Sequence, residues 1–203
     1  MKRIIRYIFL SLTGLSLICC NQKKFDSEEA LWTYMKDEAN QYVQHKSVNG
    51  VDFSLIYKPT DLLVKQELVE NASREIIDSL RARYGQYLYF NLTMSKNDHE
   101  ILTELAGNQI QFGNMVNQLA FGMTEKIHLY TPQKDTIPMQ DYIYPRMYGM
   151  SNNTSILLVY PRDSQLMKQD HFNLSIEDLG LFTGEVSFKV PVNLIKKQPQ
   201  LNF

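Results

Sequence analysis

Apolar side chains recur along this chain with two different periods, and the changes of period mark its elements. Between residues 27 and 45, Leu31, Tyr34, Met35 and Tyr42 fall at helical spacing. Ser27 precedes them as a capping residue, with Glu28 and Glu29 in the first turn, so a helix is predicted over 27–45. Val48-Asn49-Gly50 reads as the turn that ends it. Val51 to Tyr57 alternates apolar and polar for most of its length, the pattern of a half-buried strand, and Pro59 closes it. A second helix is predicted over 60–84. Leu62, Leu63, Val69, Ala72, Ile76, Leu80 and Tyr84 form its inner stripe, Lys65, Glu67, Glu70, Arg74, Asp78 and Arg81 its solvated side, and Gly85 its stop.

Gln86 to Met94, "QYLYFNLTM", is apolar or aromatic at nearly every position and reads as a central strand covered on both faces. A short helix is predicted from Asn97 to about Ala106. A third long helix is predicted over 109–122, with Ile110, Met115, Val116, Leu119 and Ala120 facing inward. Strands follow at 126–131, 154–160 and 184–192. The last belongs at a sheet edge, because Pro191 cannot donate to a ladder. Helices concentrated early and strands late predict an α+β fold. The expectation is a mixed or antiparallel sheet of five or six strands with about three helices packed on one face, as one domain over 27–203.

Composition supports a single core. The chain has 203 residues, 44% of them hydrophobic and 21% charged, with 12 tyrosines and 10 phenylalanines against one tryptophan. A chain of this length buries a sizeable core without staples. Net charge is −1 and no basic block interrupts it, so nucleic acid is not an expected partner.

The first residues follow another logic. Lys2, Arg3 and Arg6 make a positive start, Tyr7 to Ile18 an apolar run, and Cys19 and Cys20 follow. This is the layout of a secretory signal peptide, and the run falls short of the roughly 20 residues that span a bilayer. Leu17-Ile18-Cys19-Cys20 resembles the lipobox of bacterial lipoproteins, with Cys20 as the lipidated residue and Cys19 in the small-residue position. The other register, with Cys19 modified, would put Ser16 at the aliphatic position and Ile18 beside the cut. The resemblance implies a signal peptide over 1–19, a lipidated cysteine and tether over 20–26, and attachment to a membrane through the N-terminal lipid. Several acyl chains anchor firmly where one binds only marginally. Cleavage removes three basic residues and takes the net charge from −1 to −4. Asn21, where enteric lipoproteins retained at the inner membrane carry aspartate, implies sorting to the outer membrane. Lys23-Lys24 in place of an early acidic cluster favours the side facing the periplasm.

Catalytic motifs are missing. The sequence holds no P-loop, no GxGxxG, no GxSxG and no HExxH, and its four histidines have no metal-ligand spacing. No cofactor and no metal are expected. The best contact surface is the irregular segment "DYIYPRMYG", where Tyr142, Tyr144, Arg146, Met147 and Tyr148 are residue types enriched at interface anchors. The expectation is therefore a non-catalytic, lipid-anchored accessory of an envelope assembly, acting through a protein partner. The alternatives are a lipoprotein that binds a small molecule or glycan, and a hydrolase whose residues lie outside any local motif.

Overall fold

A computed structural model describes residues 22–69, 71–147 and 149–203. Cys20 and Tyr148 lie outside the described residues. The short strand β1 (Lys24–Phe25) leads into helix α1 (Glu28–Lys36), which starts as the sequence predicts: the Ser27 hydroxyl accepts the Ala30 N–H at 3.1 Å. The predicted continuation to 45 is wrong. Asp37 turns to an extended conformation and its carboxylate accepts the Ala39 N–H, the Asn40 amide donates to the Tyr34 carbonyl, and Gln41 is left-handed. Such side chains offer the backbone partners that compete with helix. The chain then enters strand β2 (Val43–Val48). Asn49 and Gly50, both at positive φ, close a two-residue hairpin into β3 (Val51–Lys58). That is the turn this dipeptide favours between antiparallel strands.

The predicted 60–84 helix is two helices, α2 (Thr60–Glu67) and α3 (Arg74–Tyr84). Leu68 is extended and Asn71 left-handed, and Ser73 restarts the helix by accepting the Ile76 N–H. The pair is clasped where the Arg83 guanidinium and Tyr84 hydroxyl donate to the Glu67 carboxylate.

Strand β4 (Tyr87–Lys96) follows, then α4 (Ile101–Glu104), shorter than predicted, and α5 (Gln109–Asn117), which passes into one π-helical turn over 118–122. The remaining elements are β5 (Ile127–Tyr130), β6 (Thr136–Ile137), β7 (Asp141–Ile143), β8 (Thr154–Pro161), β9 (His171–Ile176), β10 (Val186–Pro191), α6 (Val192–Lys196) and β11 (Gln200–Leu201). β10 is an edge strand, as Pro191 requires.

The α+β class holds, but the single sheet does not. An antiparallel sheet of order β2-β3-β4-β8-β7 faces a second of order β10-β9-β5-β6, and β1 pairs with β11 in a separate parallel ladder. The helices are likewise not gathered as three on one face. Six strands lie outside those predicted: β2 begins within the expected first helix, and β1, β6, β7, β9 and β11 fall in stretches with no predicted strand. Of these, β9 carries Phe172, Leu174 and Ile176 within a polar-looking stretch and sits at the centre of the second sheet.

Alternation on the strands decides which faces meet. Phe53, Leu55 and Tyr57 of β3, Leu88, Phe90, Leu92 and Met94 of β4, and Ile156, Leu158 and Tyr160 of β8 form the buried inner face of the first sheet. Phe90 meets Phe172 of the second sheet edge-on, ring centres 6.0 Å apart. At the open side of the sandwich the Gln44 amide donates to the Lys189 carbonyl at 2.8 Å, and the Lys46 ammonium lies over the Phe188 ring.

Candidate functional site

The outer face of the five-stranded sheet is covered at one end only. There Tyr84 of α3 packs edge-on against Tyr89 of β4. Desolvation holds the neighbouring Lys58 ammonium below its ordinary pKa, and the Glu28 carboxylate opposes that shift. Farther along, the same strands present polar side chains. His45 on β2, Ser54 on β3, and Asn91 and Thr93 on β4 floor a groove of about 900 Å³, with Val43 and Ile56 as its apolar patches.

Helix α1 forms one wall. Glu28, Trp32 and Lys36 are four residues apart and so share a helical face. The Trp32 indole N–H donates to Glu28 Oε1 at 3.2 Å, which fixes the ring, and the Lys36 ammonium lies 5.9 Å from the ring centre. Glu29 and Asn153 complete the rim. On the floor, the Ser155 hydroxyl donates to Asn91 Oδ1 at 3.0 Å, leaving the NH₂ end of that amide for the groove. A further concavity of about 410 Å³ shares His45, Ser54 and Thr93 and extends the groove toward Asp52, Ser95 and Asp98. The site is therefore elongated. Its lining offers hydroxyls, amides, an imidazole and an indole face, groups that hold a ligand by hydrogen bonding and stacking.

No protein-family model matches the chain, and no curated protein or solved structure is significantly similar to it. Among the described residues, no helix is long and apolar enough to cross a membrane, and no group of three or more His, Cys, Asp or Glu is placed to hold a metal ion.

The residues singled out in the sequence lie elsewhere. Tyr142 sits on β7 opposite Leu158, on the inner face, and its hydroxyl is buried without a hydrogen-bond partner among the described residues. Tyr144 packs against the core, the Arg146 guanidinium lies 5.9 Å from the Phe112 ring centre, and Met147 is 38% exposed. None of these four lines the groove. Sequence reasoning passed over Trp32, Ser54, Asn91 and Thr93. One signal was available: Asn91, Thr93 and Ser95 alternate within an otherwise apolar run, which marks an open face rather than a strand covered on both sides.

Proposed function

We propose that this protein is a lipid-anchored, non-catalytic binding protein of the bacterial cell envelope, held to the membrane through Cys20, on the periplasmic side of the outer membrane. Its groove takes an uncharged, ring-bearing polar ligand of the saccharide class. The observation that carries the ligand class is the combination of a fixed indole wall with a floor of neutral hydroxyl and amide groups in one elongated groove. Saccharides present apolar ring C–H faces to an aromatic surface and hydroxyls to amides, and an extended groove suits several linked units.

Trp32 is the sole tryptophan, so its fluorescence reports on the site directly. Titration with neutral oligosaccharides is expected to give a saturable change in emission. Calorimetry is expected to show binding weakened about tenfold by Trp32→Ala, the loss of a stacking contact of about 1.5 kcal/mol. A flat titration across a panel of neutral glycans, or unaltered affinity in Trp32→Ala, would remove this reading.

The anchor has its own test. Cys20→Ala is expected to abolish labelling by a palmitate analogue and detergent-phase partitioning, while Cys19→Ala keeps both; the reverse pattern would reassign the lipid to Cys19.

A second reading, docking to a protein partner, draws on Ile143, Met147 and Met150, which are 54%, 38% and 78% exposed in the segment that carries the tyrosines. A stoichiometric partner crosslinked through that segment would support it.

A further inference from the structure

A smaller cavity lies away from the groove, where α2 begins and the C-terminal segment passes. It measures about 270 Å³ and is lined by Thr60, Asp61, Arg81, Arg162 and Gln198, with Gly85, Pro199 and Gln200 completing it. Its charges do not balance. Asp61 is wholly engaged: both carboxylate oxygens accept from Arg81, at 2.8 and 2.7 Å, and Oδ2 also accepts the Leu201 N–H at 2.8 Å. That pair is neutral, which leaves Arg162 as the excess charge.

Arg162 has no carboxylate partner among the described residues. Its Nη2 donates to the Tyr57 hydroxyl at 3.3 Å, and its Nε is buried with no hydrogen-bond partner. The nearest acid in sequence, Asp163, is turned away, accepting the Gln165 and Leu166 N–H groups at 2.8 Å each. Tyr57 does not supply the missing charge, since burial pushes its hydroxyl pKa up to about 12. It instead donates to Gln198 Oε1 at 2.8 Å, an oxygen that also accepts the Thr60 N–H at 3.0 Å. That Nε is closed off from solvent, so the cavity meets the rest of the guanidinium, a group that binds oxyanions through paired N–H bonds.

We infer that this cavity is a binding site for a small oxyanion, the carboxylate or phosphate group of a low-molecular-weight ligand, held by Arg162 and bordered by Thr60 and Gln198. The site is independent of the groove at Trp32 and stands or falls separately from it.

The test is thermal unfolding of the purified full-length protein with sodium phosphate, sodium acetate or sodium chloride at matched ionic strength. A saturable rise in midpoint with phosphate, with acetate or with both, absent with chloride, is expected, and the effective anion identifies the headgroup. Arg162→Gln is expected to weaken the response at least about tenfold, the loss of a charge-assisted hydrogen bond. Gln198→Glu provides the second variant should Arg162→Gln fail to fold. It sets a carboxylate inside the cavity that neutralises the excess charge, so the anion response disappears in a folded protein. Equal behaviour in all three salts, or an anion response that survives both substitutions, would overturn the assignment.

Discussion

Phe90→Ala is expected to cost about 4 kcal/mol of folding stability, the middle of the range for truncating a buried phenylalanine. Phe90 is fully buried on β4, and its ring centre lies 5.5 Å from that of Tyr57 on one side and 6.0 Å from that of Phe172 on the other. The first neighbour shares its sheet and the second belongs to the facing sheet, so the ring bridges the two layers. Neither backbone can close in on the void, because β3 and β8 flank β4 in fixed register. For a domain of this size the loss corresponds to a fall of about 8–16 °C in Tm. Urea unfolding measures it, with Phe121→Ala as the control: Phe121 is 81% exposed, and its removal is expected to change stability by less than about 0.5 kcal/mol.

Asp61→Ala is expected to cost about 3 kcal/mol, since removing one partner of a buried ion pair leaves the other uncompensated. Asp61 is 3% exposed and the Arg81 side chain 23%. The partial exposure of the arginine holds the figure at the lower end of the range. The damage extends past the pair. Asp61 accepts the Leu201 N–H while Arg81 donates to the Leu201 carbonyl at 3.1 Å, so one carboxylate positions the last strand. Amide exchange in Asp61→Ala is therefore expected to accelerate at Leu201 and Asn202 well before it does in β4. Uniform exchange across the domain would show that the carboxylate holds no local structure.

How legible this was depended on the range of the interaction. Elements defined by their own side chains were readable: the Ser27 cap of α1, the alternation of β3, the proline-marked edge of β10. The boundary of α1 was not, because Tyr42 and Val43 fit a helical stripe as well as a strand. The pairing of Val43 with Ile56 across the Asn49-Gly50 hairpin, together with the helix-ending bonds of Asp37 and Asn40, decides between them. The division of strands between two sheets depends on contacts such as Phe90 with Phe172, 82 positions apart in sequence, which no local period reveals. The groove was hidden for the same reason. Its wall and floor come from Trp32, Ser54 and Asn91, each unremarkable alone and brought to one groove only by the tertiary fold. The Arg162 cavity depends on Gln198, brought beside Thr60 by the return of the C-terminal segment.

The parallel ladder of β1 and β11 has a mechanical meaning. Gln200 donates to the Lys23 carbonyl and Asn202 to the Phe25 carbonyl, each at 2.9 Å, so the first described strand is seated on the last. Tension applied to the chain ahead of Lys23, as a membrane tether would apply it, runs along β1 and loads both bonds in shear together. The load then passes through Leu201 into Asp61 and Arg81. Leu201 is itself buried in the core, so the tail of the chain shares with the β1–α1 connection the load placed on the first described strand.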